Sequence, residues 1–464
     1  MTAEWWFKSM FDKVFEEFAD LPCIADGDRV LSYAQTLDLG RGLIAGLPET
    51  RSLVVLRCSV SAESVAAYVA LMQAGHVPLL LEADLSETLS DQIYALYKPD
   101  AIVDPGAGTV SLTGYAPADL HPDLSLLLTT SGSTGSPKLV RQRRAGITAN
   151  AQSIAQYLGL TSDERPLLHL PMSYSYGLSV IHSHLAVGAC ICLTRKTVME
   201  PGYWDDLRQH EATSIAGVPF HYTTLRRFGE DKLSLPSLKT FTQAGGRLDP
   251  RVVSFFGEWT ARTGRKFFVM YGQTEAGPRV AYLPPEHAAA HPDAVGVAIP
   301  GVTIDLVKDD GSPAAIGETG EMRIHSPAVM MGYALTRADL AKGDELGGVL
   351  STGDLAQLGE DGLLRIVGRS SRILKVFGLR VNLDEVERRV ATPETSVFCF
   401  GNDDKLQVLI QGEVDPVETR KVIVDAFSLP PRGIEVRNTD HVARTGSGKV
   451  TAVALTEAWE RASR

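Results

Sequence analysis

Nowhere in this 464-residue chain do five or more Lys and Arg residues follow one another, and the formal net charge is −11. A protein that grips nucleic acid carries a basic face, so that class is disfavoured, although a local pocket can still suit an anionic small molecule. Ordered cysteine chemistry is missing too. The five cysteines, at 23, 58, 190, 192 and 399, form no CxxC pair and no His/Cys zinc spacing, and their number is odd. They read as small buried hydrophobes of a reducing cytoplasm, with Cys190 and Cys192 on one face of the strand "ACICLT". No apolar run approaches the ~18 residues that a membrane span needs. The N-terminal "MTAEWWFKSMFDKVFEEFAD" is no signal peptide, because acidic residues interrupt each apolar run. Trp6, Met10, Val14 and Phe18 recur every fourth residue, which predicts an amphipathic helix docked on a core. Its polar face carries Glu and Asp, not the Lys and Arg of a membrane-surface helix. Tandem repeats and low-complexity segments are absent.

What is present is a globular composition: 44% hydrophobic, 22% charged and 7% aromatic, at a length that suits two or three domains. Strand-like runs, "SLVVLRCSV" (52–60), "VPLLLEA" (77–83) and "AIVD" (101–104), alternate with helix-like segments such as "AESVAAYVALMQAG". The alternation resumes with "ACICLT", "SIAGVP", "LKTFTQAGG" and "KFFVMYGQTE", each ending in small or polar residues. This predicts an α/β fold with parallel-type sheets and ligands at the carboxyl ends of the strands. After about residue 300 short strands split by Asp-Gly and Gly turns predict hairpins and a small β-barrel. Beyond "GRSSR" (368–372) a strand, a helix at "LDEVERRVA", a hairpin and two more helices predict a small α+β domain. The expected boundaries are 1–368, a hinge at 369–372, and 373–464.

The stretch "LLLTTSGSTGSPKLV" (126–140) delivers small hydroxyls and glycines from an apolar strand. It is not a Walker A loop, since two residues, not four, separate Gly132 from Gly135, and Lys138 comes later. The physics is related: glycines let backbone N–H groups approach phosphate oxygens, and Ser131, Ser133 and Thr134 add donors. A flexible Ser/Gly turn is the bland alternative.

"TTSGSTGSPKLV" resembles the phosphate loop of the adenylate-forming superfamily, which includes acyl-CoA synthetases, peptide-synthetase adenylation domains and firefly luciferase. Further matches follow in order: "LSYAQ", "MQAGHVPLLLEAD", "LPMSYSYGLS", "QAGGRL", "YGQTEAG", "GETGEMRIHSPAVMMGY", "STGDLA", "GRSSRILKVFGLRVNLDEVE" and "RTGSGKV". They cover residues from about 30 to 450. The resemblance implies that a carboxylate attacks the α-phosphate of ATP to give acyl-AMP and pyrophosphate, after which a nucleophile displaces AMP.

It further implies roles. Thr130, Ser131, Gly132, Ser133, Thr134, Gly135 and Lys138 would cover the β- and γ-phosphates. Tyr271 would stack on adenine, within "YGQTE" beside Gly272 and Gln273, while Gly245, Gly246 and Arg247 shape the nucleotide and acyl pocket. Thr274 would bond the α-phosphate, Glu275 would hold Mg²⁺, and Asp354 and Arg369 would reach the ribose. Lys449, on a mobile C-terminal domain, would neutralise the oxyanion between acyl group and phosphate. The pivot aligns with Ser371, where the family often has Asp or Lys. Tyr174, Tyr176, Gly177, Val218 and Pro219 would border the acyl pocket.

"YSYGLS" lacks the acidic residue that amino-acid-activating domains use for the α-amine, which argues against an amino-acid substrate. His182 and His184 read as helix residues, because an ionised carboxylate needs no general base. The expected substrate is a small-molecule carboxylic acid. The expected acceptor is coenzyme A or the phosphopantetheine of an acyl carrier protein, from a free-standing acid–thiol ligase with no fused carrier. An amide-forming ligase and a degenerate nucleotide-binding homologue are the alternatives, the latter opposed by the presence of Glu275, Asp354 and Lys449. A luciferase-like oxygenase has no discriminating residue here.

Overall fold

The protein is described from a computed structural model, which covers residues 10–129, 138–376, 379–392, 394–402, 405–427, 429–444 and 450–462. The chain folds as two compact units, 1–304 with 324–350, and 305–323 with 351–464.

The first unit holds two mixed sheets. One has nine strands, and six of them form its parallel centre: Lys266–Tyr271, Thr240–Gln243, Ser214–Gly217, Pro166–Leu168, Ile191–Leu193 and Pro22–Asp26, in that spatial order. Antiparallel strands flank them, including Arg29–Ser32 at one end and Ala281–Leu283 near the other. The seven-stranded sheet has Leu124–Thr129, Val77–Glu82, Leu53–Cys58 and Ala101–Asp104 parallel at its centre. These strands read as unbroken apolar runs because both faces are covered. Leu53, Val54, Val55 and Leu56 are all fully buried.

Between strands the chain uses caps where sequence supplies them. Ser32 closes a capping box with Gln35 at the start of helix Tyr33–Leu43, and Ser61 caps helix Ala62–Gln73. The second helix is largely apolar and buried at every position but Glu63 and Gln73, as a core helix must be. The pair packs so closely that a Cβ on Gly40 would lie 2.1 Å from the Ala66 carbonyl oxygen. The N-terminal amphipathic helix forms over Met10–Glu17 and buries Val14 and Phe15, with the Phe15 ring 5.0 Å from Tyr33. Trp6 lies outside the described residues. All five cysteines are buried and unpaired by disulfide.

Where hairpins and a small barrel are expected, a four-stranded sheet forms in the order Thr303–Val307, Thr319–His325, Val349–Leu358, Leu364–Arg369. The C-terminal segment then builds a ribbon, Ile373–Val376 with Leu379–Asn382, and a three-stranded sheet of Ser396–Asn402, Lys405–Gln411 and Ile434–Thr439. Helices Leu383–Val390, Pro416–Phe427 and Ala452–Arg461 complete it. Its core gathers Val386, Cys399, Val408, Ile423 and Val436. Among the described residues, no helix is long and apolar enough to cross a membrane.

Candidate active site

The parallel strands of the nine-stranded sheet end side by side, and several of the residues singled out from the sequence in the first unit, Tyr271, Gly245 and Gly246 among them, lie at or just beyond those ends. Strand Lys266–Tyr271 runs into "YGQTEAG", where the Gln273 amide donates to the Tyr271 hydroxyl at 3.0 Å. Gly272 is required by contact: a Cβ there would sit 2.1 Å from the Pro278 carbonyl oxygen. A 3₁₀ turn over Thr274–Ala276 follows. Two neighbours fix Thr274. Gln142 Nε2 donates to its carbonyl at 2.7 Å, and Ser175 Oγ lies 2.9 Å from its Oγ1.

Glu275 is held in the same manner. Its carbonyl accepts from the Met330 N–H at 2.8 Å, and Oε1 accepts from the Tyr333 hydroxyl at 2.8 Å. Burial first, and the Glu275 charge second, push the Tyr333 phenol above its ordinary range, so it stays a donor. Lys138 Nζ sits 4.0 Å from the centroid of the same ring, a cation–π contact. No cationic side chain pairs with Glu275 among the described residues, which leaves carboxylate oxygen suited to a hard divalent ion such as Mg²⁺.

The expected acyl wall assembles beside this turn. Tyr174 and Tyr176 flank Ser175 at the start of helix Ser175–Leu185, their rings 6.2 Å apart and edge-to-face. Tyr176 donates to the Thr242 carbonyl at 2.7 Å. Gly245 has a φ of +83°, and a Cβ on it would lie 2.2 Å from the Tyr174 hydroxyl and 3.2 Å from Val218 Cγ1. Gly246 packs against Pro219, and a Cβ on Gly177 would strike the Pro171 carbonyl. The structure therefore brings Tyr174, Tyr176, Gly177, Val218, Pro219, Gly245 and Gly246 together. Arg247 follows them on the exposed surface. His182 and His184 are buried on the same helix, and burial pushes them down to about 3 and about 4, so both are neutral. His182 Nε2 is 2.7 Å from the Tyr68 hydroxyl.

In the second unit Asp354 and Arg369 are register partners on adjacent antiparallel strands, and Arg369 Nε donates to Asp354 Oδ1 at 2.7 Å. The carboxylate is buried whereas the guanidinium is mostly exposed. Ser371 lies in the short 3₁₀ turn Ser370–Arg372. Thr130, Ser131, Gly132, Ser133, Thr134, Gly135 and Lys449 lie outside the described residues.

Four neighbours escape a reading of the sequence. Ser175 and Tyr333 stand inside quoted motifs, yet nothing in those motifs says which residue they touch. Gln142 offers no sequence signal at all, and neither does Arg279, whose guanidinium carbon lies over the Tyr176 ring.

Residues 11–334 match the family model described as AMP-binding enzyme. The chain is 27% identical over 388 residues to the oxalate–CoA ligase of Arabidopsis thaliana, covering 79% of this chain and 72% of the relative. It is 30% identical over 276 residues to a long-chain-fatty-acid–CoA ligase of Salmonella typhimurium, covering 57% of this chain and 47% of the relative, so it spans about half that protein's length. The O-succinylbenzoate coenzyme A synthetase of Bacillus subtilis, solved in complex with ATP and magnesium ion, superposes with a TM-score of 0.78 at 20% identity, over 97% of this chain and 99% of that one. This last likeness is one of fold.

Proposed function

The chain belongs to the AMP-binding enzyme family, and from that premise we propose that it is an ATP-dependent carboxylic acid ligase acting in two steps. It joins the acid to AMP with release of pyrophosphate, then passes the acyl group to a thiol, either coenzyme A or a carrier phosphopantetheine. The observation that carries this reading is the fixed Thr274–Glu275 turn, braced by Ser175, Gln142 and Tyr333 directly beside the aromatic wall. Relatives that are CoA ligases support the thiol acceptor.

In the first step the acid's carboxylate oxygen bonds to the α-phosphorus and the bond to pyrophosphate breaks. Negative charge gathers on the phosphate oxygens, so donors fixed beforehand lower the barrier without reorganising. Thr274 offers its hydroxyl to the α-phosphate, oriented by Ser175. Glu275 would hold Mg²⁺, which would supply neutralisation of phosphate charge. Tyr333 keeps the Glu275 carboxylate in place, and Lys138 and the loop at 130–135 receive the departing phosphates. Tyr271 stacks on adenine, and Asp354 with Arg369 takes the ribose hydroxyls. Lys449 neutralises the oxyanion at the new anhydride.

The test is acid-dependent exchange of labelled pyrophosphate into ATP across a panel of acids, followed by mass spectrometry of products with coenzyme A, carrier protein and amines offered together. The expected result is exchange with at least one acid and a thioester product. An amide product would move the acceptor to an amine. No exchange with any acid, from a demonstrably folded protein, would count against the ligase.

A further inference from the structure

We propose that the acid this protein activates carries a second carboxylate, and that Arg279 at the aromatic wall is the residue that receives it. This rests on the ligase reading above and names the substrate class of that site.

Arg279 is 1% exposed, among the largest fully buried side chains of the described residues. Its backbone is anchored, since Asn150 Nδ2 donates to its carbonyl at 2.8 Å. Its side chain has only neutral company. Nη1 donates to the Tyr157 hydroxyl at 3.2 Å and to the Met270 sulfur at 2.8 Å. The guanidinium carbon lies 4.4 Å from the Tyr176 ring centroid. Nε is buried without a partner, and no carboxylate pairs with the group among the described residues. His184, whose ring feels the Arg279 charge, is itself uncharged.

A buried charge is ordinarily paired, because hydroxyl, thioether and ring face recover only part of the hydration lost. Arg279 is therefore an incomplete site, and its missing component is an anion. A guanidinium presents donors in a planar fork that matches a carboxylate in two parallel bonds.

Its position says whose carboxylate that is. Arg279 follows Thr274 by five residues and rests on Tyr176, the residue after Ser175, whose hydroxyl holds Thr274. Tyr174, on the other side of Ser175, abuts Gly245. In this proposal one end of the acid reacts near Thr274, and the other end pairs with Arg279 beside Tyr176. A monoacid of equal length would enter and leave the cation unpaired. Sites built to bind a polar group reject analogues that lack it more strongly than apolar pockets reject a missing methylene.

The experiment compares malonate, succinate, glutarate and phthalate with propionate, butyrate, valerate and benzoate in pyrophosphate exchange, for the wild type, Arg279→Met and Arg279→Lys. Thermal melting of each protein with and without the same acids runs in parallel. Expected are a preference for one or more diacids, a diacid-to-monoacid ratio of kcat/KM that falls about 30-fold or more in Arg279→Met, and partial recovery in Arg279→Lys. The ligand-free Met variant should melt no lower than wild type, since an apolar chain of similar length replaces an uncompensated charge. It should also lose the stabilisation that diacids give the wild type. An unchanged ratio, or monoacids preferred by the wild type, overturns the proposal and leaves the ligase standing. Absence of exchange with every acid refutes the ligase instead. The melting comparison then decides Arg279 alone: equal diacid effects on wild type and Arg279→Met overturn its role.

Discussion

At the scale of single residues, the proposed chemistry depends on a few polar groups whose partners come from far along the chain. Ser175 touches a residue 99 positions away, and Tyr333 touches one 58 positions away. Thr274, Glu275, Asp354 and Arg369 could be singled out because short motifs carry them. Their braces could not, since Gln142, inside strand Leu139–Arg143, is indistinguishable from any other strand amide until the chain is folded. Arg279 was hidden for another reason: an arginine after Gly-Pro reads as solvated, and only its burial shows otherwise. The role assigned to Lys449 yields a prediction at this scale. Lys449→Ala should slow acyl-AMP formation about 100- to 1000-fold, the usual effect of losing one such donor. Thioester formation from supplied acyl-AMP should be largely preserved. Comparing the two half-reactions checks this, and equal loss of both would remove the lysine from the first step.

At the scale of elements, the parallel strands were readable because burial on both faces makes them continuous apolar runs, and "LVVLRC" and "VPLLLE" fold as such. Their spatial order was not, because pairing joins strands distant in sequence, and Pro166–Leu168 lies between Ser214–Gly217 and Ile191–Leu193. Register was hidden as well. Both Asp354 and Arg369 were expected at a ribose, but only the strand alignment places them opposite one another. The loop after strand Thr240–Gln243 permits a sharper prediction. Gly245→Ala meets both a left-handed backbone and the Tyr174 hydroxyl. It should destabilise the protein by about 1–3 kcal/mol and raise KM for the acid by displacing Tyr174. Denaturant titration and steady-state kinetics measure the two effects, and a variant with unchanged stability and KM would show that Tyr174 does not border the acid.

At the scale of the whole molecule, burial of neutral histidines sets a pH dependence. Burial pushes His182 down to about 3 and His184 down to about 4 in the fold, against about 6.5 in an unfolded chain. Below about pH 6.5 the unfolded chain binds protons that the folded one refuses, so their contribution is complete above that pH and declines as pH falls toward 4. Each costs about 1.4 kcal/mol per pH unit within that window. Urea midpoints at pH 7.5, 6.0 and 5.0 should fall in that order. Midpoints that stay level would mean that neither ring is shielded from protonation in the fold.

The placement of the thiols has a practical corollary. Cys23, Cys58, Cys190 and Cys192 all belong to the first compact unit, and Cys399 is the lone sulfhydryl of the second. Each is shielded in the fold, and burial lifts the Cys399 thiol well above its ordinary range. An alkylating reagent therefore reports opening rather than surface reactivity. Modification of Cys399, resolved by peptide mass, clocks the exposure of the C-terminal core separately from that of the first unit.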